Sequence, residues 1–254
     1  LLSSDSLPEG TPVLAYRCFL SSIALHTLLL TFNFELTYRV VSFLIKINIP
    51  AVTQNTKLIE RSSAMHSPCP ELVRIGLTDA QLVVWDTFRR LWMEHVLWTR
   101  FFMVSTAFDL PDLPVVTERL LRNPYDFGNE FYLYFATPIA VRFETLLREH
   151  LQIAGLLVNA AKEGNTAEVE KQRRLWYTNA EDIANFLASI NPYWCAEVWK
   201  DLLFNHLRMT EDEAVQILTG QYEMSIRQFD SIEAQALRMA DVMSCGIIKR
   251  SGIQ

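Results

Sequence analysis

From Thr78 onward the apolar residues recur at helical spacing, and one of the positions on the apolar face is a histidine. Leu82, Trp85, Phe88, Trp92, His95, Trp98 and Phe102 fall on a single stripe, the pattern of an amphipathic helix. Thr78-Asp79 suits an N-cap, so a first helix is predicted to run to about Phe108, where Asp109-Leu-Pro-Asp112 breaks it. A second is predicted from Pro114 to Phe135, kinked or restarted at Pro124 and ended by Thr137-Pro138. A third runs from Ile139 to Lys162, closed by Gly164-Asn165, and a fourth from Thr166 to Ile190, closed by Asn191-Pro192. A fifth covers Ala196 to Met209. Thr210-Glu-Asp-Glu213 has the spacing of a capping box and is read as opening a separate short helix to Gly220, before a last helix from Tyr222 to Ile248. Glycine and β-branched residues are scarce inside these runs, which leaves strands little claim.

The pattern repeats. Leu91-Trp-Met-Glu-His95, Leu146-Leu-Arg-Glu-His150 and Leu202-Leu-Phe-Asn-His206 align without gaps, and Asn123-Pro-Tyr-Asp126 aligns with Asn179-Ala-Glu-Asp182. Asp230-Ser-Ile-Glu233 keeps a pair of acids three apart, and positions three apart share a helix face. The expected fold is therefore all-α: an antiparallel helical bundle of three related helical hairpins, ferritin-like in general character. Its interior is expected to hold a polar layer of His95, Asp126, His150, Asn179, Asp182, His206, Asp230 and Glu233.

Histidines and carboxylates facing one another in a bundle are the ingredients of a metal centre. The candidate metal ligands are His95, Asp126, His150, Asp182, His206 and Glu233, with iron, manganese or zinc as the ion. The Glu-x-x-His spacing of di-iron bundles is absent, since Glu94-His95 and Glu149-His150 are adjacent and diverge by about 100° around the helix. The other reading is that each inward histidine is hydrogen-bonded by an acid or amide on the neighbouring helix, because a buried polar group is costly unless paired. A third is general acid/base catalysis by an inward histidine and acid. The expected function is a non-enzymatic metal- or small-ligand-binding bundle; the alternative is a structural or protein-interaction protein whose polar layer sets helix register. The tryptophans and tyrosines at 176, 177, 193, 194 and 199 are expected to pack, and Arg100 to form a salt bridge.

The 254 residues are 50% hydrophobic, ample for a sizeable core, and the net charge of −6 without a long basic run argues against a nucleic-acid partner. Four cysteines without a CxxC pair suggest no thiolate zinc site, and a reducing, cytoplasmic setting fits. Residues 1–64 read differently from the rest. They contain an uncharged apolar run, Cys18 to Phe34, and a second apolar patch, Val40 to Val52. Three readings stand for this leader: a membrane segment within residues 18–52, which would make the protein membrane-associated, a non-native extension, or a soluble extra element. Residues 65–77 are expected to link it to a bundle spanning residues 78–254.

Four runs resemble the signature stretches of a family of uncharacterised bacterial all-helical proteins: Glu94-His-Val-Leu-Trp-Thr-Arg100, Leu120-Leu-Arg-Asn-Pro-Tyr-Asp-Phe-Gly-Asn129, Trp176-Tyr-x-Asn179 and Ile190-Asn-Pro-Tyr-Trp194. The resemblance covers about Met65 to the C terminus. It implies an all-helical fold and Met65 as the natural start. Some members of that family carry an acetylglutamate kinase label. The residues disfavour that chemistry here, because the eight glycines are dispersed and never form a GxGxxG or GxxxxGK phosphate loop.

Overall fold

A computed structural model describes residues 76–254. The expectations placed on residues 1–64, on most of the linker and on a membrane segment at 18–52 lie outside the described residues. Within them the chain is all-α, with six helices and no strand: α1 (Asp79–Ala107), α2 (Leu113–Phe131), α3 (Thr137–Lys162), α4 (Thr166–Ile190), α5 (Ala196–Leu218) and α6 (Tyr222–Ser251). No described helix is long and apolar enough to cross a membrane.

Local chemistry sets the boundaries. Thr78 Oγ1 accepts from the Gln81 backbone N–H while Gln81 Oε1 accepts from the Thr78 N–H, a complete capping box at the start of α1. Asn165 caps α4 through Oδ1, which accepts from the Glu168 N–H. Gly164, Gly220 and Gly252 follow α3, α5 and α6 with positive φ, a conformation glycine adopts without a Cβ penalty. Pro124 sits inside α2, which continues past it. One expected break is absent. The stretch Thr210–Glu213 lies within a continuous α5, because nothing between Met209 and Thr210 breaks the helix and the Thr210 hydroxyl donates to the His206 carbonyl one turn back instead of capping.

Each helix packs against its neighbours in sequence, and α6 returns to pack against α1, closing a ring. Neighbours run antiparallel. Along α1 and α6, for example, Gln81 meets Ile253, Arg89 meets Asp241 and Phe108 meets Tyr222. Helix α1 also touches α3 and α5, so the three histidine-bearing helices approach one another inside the ring. Phe88, Phe127, Phe131 and Phe143 are fully buried at one end of this interior, with Phe131 stacked on Phe143 at 4.1 Å between ring centroids. Leu82, expected on the buried stripe, lies on the surface. The helix contacts at that end are close: a Cβ on Gly246 would fall 1.9 Å from Trp194 Nε1, which donates to the Val242 carbonyl.

Candidate functional site

His95, His150 and His206 are each at most 3% exposed, and their rings meet at the centre of the ring of helices. The His95 centroid lies 6.3 Å from that of His150 and 5.9 Å from that of His206. The helices bring the three together because each histidine occupies the same position on an odd-numbered helix, directly after the leucine-rich turn that packs inward.

The groups that hold the rings are amides. Asn123 Nδ2 donates to the Leu91 carbonyl at 3.0 Å, so its Oδ1 is the atom left to accept from His95 Nδ1–H, also at 3.0 Å. Asn179 repeats this, donating to the Leu146 carbonyl at 3.1 Å and accepting from His150 Nδ1–H at 2.9 Å. In both cases the carbonyl belongs to the residue four before the histidine, whose freedom to accept a second bond ties one helix to the next. His150 has no nitrogen to spare: with Nδ1 protonated, its Nε2 carries the lone pair and accepts from Trp176 Nε1–H at 3.1 Å. The third set differs. Gln235 Nε2 donates to the Leu202 carbonyl at 2.7 Å, but between Gln235 Oε1 and His206 Nδ1 no hydrogen bond of ordinary geometry closes, although the amide is near enough to pull His206 up.

Burial keeps these imidazoles neutral. It pulls His95 down to about 4 against the opposing pull of Asn123, and His150 down to about 3, with help from the nearby His95. His206 is lowered well below its ordinary value, again chiefly by burial and then by the other two histidines, against the opposing pull of Gln235.

The expected acids do not join this layer. Asp126 is half-buried and paired with Arg122, Asp182 and Asp230 are exposed, and Glu233 is half-buried on α6, two residues from the Gln235 that reaches α5. The reason is rotational: Asp126 and Asp182 stand three residues beyond Asn123 and Asn179, nearly a full turn farther along and rotated toward the helix flank. Of the two glutamates beside the histidines, Glu149 is exposed and Glu94 bridges Arg90 and Arg119. Asn123 and Gln235 were missed as partners, although a signal for both existed. Counting 56 residues from Asn123 reaches Asn179, and counting 56 again reaches Gln235.

The donor set does not fit a carboxylate and histidine metal centre. His150 has both nitrogens engaged, the acids point away, and among the described residues no group of three or more His, Cys, Asp or Glu side chains is arranged to hold a metal ion. What the histidines do enclose, with Trp92 and Trp199, is an internal cavity of about 10 Å³. Elsewhere on α1, Arg100 forms an ion pair with the buried Glu213 of α5 and donates to the Ser225 carbonyl of α6 at 3.2 Å. Trp176 serves the polar layer rather than an aromatic cluster, whereas Trp194 and Trp199 pack edge to face at 6.1 Å. No family model, curated protein or solved structure matches the chain.

Proposed function

We propose that the protein is a non-enzymatic helical scaffold, of the structural or protein-interaction kind, whose buried histidine and amide layer fixes the register of its helices. The observation that carries this reading is His150, whose two ring nitrogens are both engaged by fixed partners on α4, Asn179 and Trp176. A one-residue slip of α3 against α4 would leave five side-chain polar groups unpaired in an apolar interior, the two ring nitrogens, both ends of the Asn179 amide and the Trp176 indole N–H, at about 1–3 kcal/mol each. That penalty singles out one alignment, as buried polar residues do in coiled coils. The internal cavity beside the histidines has no room for a substrate, so these rings are not reached by one there.

The rival reading, a bundle that binds iron, manganese or zinc through the same histidines, is decided by elemental analysis of the full chain purified without a histidine tag or chelator. The scaffold reading expects no stoichiometric metal and no metal-dependent stabilisation. Stoichiometric metal that disappears in a His95→Ala/His150→Ala/His206→Ala variant would replace it.

A further inference from the structure

Along α2, and bounded by Arg148 of α3, runs an open groove of about 790 Å³ that the register layer does not use. Its wall presents three arginines, Arg119, Arg122 and Arg148, against one carboxylate, Glu118, in a chain whose net charge is −6. The guanidinium groups are held in place. Arg119 donates to Glu94 at 3.0 Å and lies over the Trp98 ring at 4.9 Å. Arg148 donates to Glu144 at 2.7 Å and crosses to the Leu121 carbonyl of α2 at 3.3 Å. Arg122 donates through Nε to Asp126 at 3.2 Å, which leaves its two Nη groups without a protein acceptor among the described residues, on a side chain 63% exposed. The acids that hold these arginines, Glu94, Asp126 and Glu144, form no part of the groove wall. Val115 and Tyr125 do, and they are 68% and 53% exposed. With Arg122 they share one face of α2 over about 15 Å.

The geometry points to a docking site for an acidic amphipathic segment of a partner protein, its carboxylates on Arg122 and Arg148 and its apolar side chains on Val115 and Tyr125. This rests on the protein-interaction part of the scaffold reading and names the partner's chemistry. Charge complementarity makes the choice. A guanidinium fork matches a carboxylate, and Asp126 holds Arg122 by Nε alone, so the outer edge of its fork is already oriented when a partner arrives. Arginine and tyrosine are also the residues that most often anchor an interface. A small free anion would use the arginines and leave the exposed Val115 and Tyr125 uncovered. A nucleic acid would bring its phosphates against Glu118 on a negatively charged chain. A helix with acids flanking an apolar stripe satisfies both halves of the wall.

The test is fluorescence anisotropy of the full chain with a labelled amphipathic helical peptide, glutamates flanking a leucine stripe, beside its copy with lysine in place of every glutamate. The expected result is saturable binding of the glutamate peptide alone, about tenfold weaker in Arg122→Glu and in Tyr125→Ala, and falling as salt is raised. Both side chains are exposed, so urea unfolding should show the variants folded; Arg122→Gln takes the place of Arg122→Glu if the charge reversal does not fold. Absence of binding, equal binding of the lysine copy, or undiminished binding in both variants overturns the proposal. Displacement of the peptide by inorganic phosphate, or equal affinity for a thymidine oligonucleotide, overturns it too, since the groove would then be a general anion site. The register reading is judged separately, by the combined substitution at His150, Asn179 and Trp176 described below, so a favourable result there without peptide binding would sink the docking site and leave the layer.

Discussion

The stations at His95 and His150 and the one at His206 are built from the same positions and are held by different means. In the first two, an asparagine on the following helix closes a loop of hydrogen bonds from the ring nitrogen to the carbonyl one turn back. In the third, Gln235 keeps the carbonyl bond, but its oxygen misses the ring. Helices α5 and α6 are instead tied to α1 by Arg100, which reaches Glu213 on one and Ser225 on the other and lies over the Phe229 ring at 5.2 Å. One extra methylene in the amide is enough to make an equivalent position do only half of the work. A repeated pattern of polar residues therefore marks where helices meet, and the side-chain length at each copy decides whether the hydrogen bond closes.

Substitution should separate the stations. The largest effect is expected at His150→Leu, which strands Asn179 Oδ1 and Trp176 Nε1–H in the core and should cost about 4 kcal/mol in urea denaturation. Adding Asn179→Leu and Trp176→Phe should recover much of that loss, since an apolar replacement of the whole set leaves nothing unpaired. A triple variant no more stable than His150→Leu alone would speak against a register layer.

Arg100→Leu comes next and probes the tie that stands in for the third hydrogen bond. Burial pushes Glu213 up to about 7 even beside Arg100. A raised carboxyl is protonated in the fold at low pH and loses its stabilising contribution as pH climbs from about 4.5 through about 7. Removing Arg100 should therefore destabilise by about 3 kcal/mol near pH 8, where Glu213 is left as an unpaired buried charge, and by less near pH 5. Equal losses at the two pH values would show that the guanidinium matters for packing alone. Gly246→Ala, where Trp194 leaves no room for a Cβ, should cost about 2 kcal/mol by forcing the indole off its Val242 bond. His206→Leu should be the mildest of the three histidine changes, about 1 kcal/mol, because only the loosely aligned Gln235 amide is lost from its Nδ1.

Much of the fold was legible in the hydrophobic period. The predicted fourth helix has the bounds observed for α4, and the Asp109 to Asp112 and Gly164-Asn165 breaks fall where helices end. The inward histidines could be read from their apolar neighbours. The acids were misplaced because positions three apart share a face only loosely, so Asn179 and Asp182 both fit a periodic stripe while only the first points at the neighbouring helix. The capping-box spacing at Thr210 was misleading for a different reason: a threonine one turn after a buried helical carbonyl can bond to it and let the helix continue. The Trp176 bond to His150 could not have been read at all, since an indole at a buried helical position is most often packing.

The central claim, that the histidines are neutral and held by hydrogen bonds rather than poised for a ligand, is tested most directly by following the imidazole nitrogens of the full chain by NMR from about pH 8 to about pH 5. With folded values near 4 for His95 and 3 for His150, both rings should stay neutral across that range, and His150 should show a protonated Nδ1 and an Nε2 that accepts a hydrogen bond. Protonation of the buried rings near the ordinary 6.5, or an Nε2 resonance that shifts on adding zinc, would contradict the account.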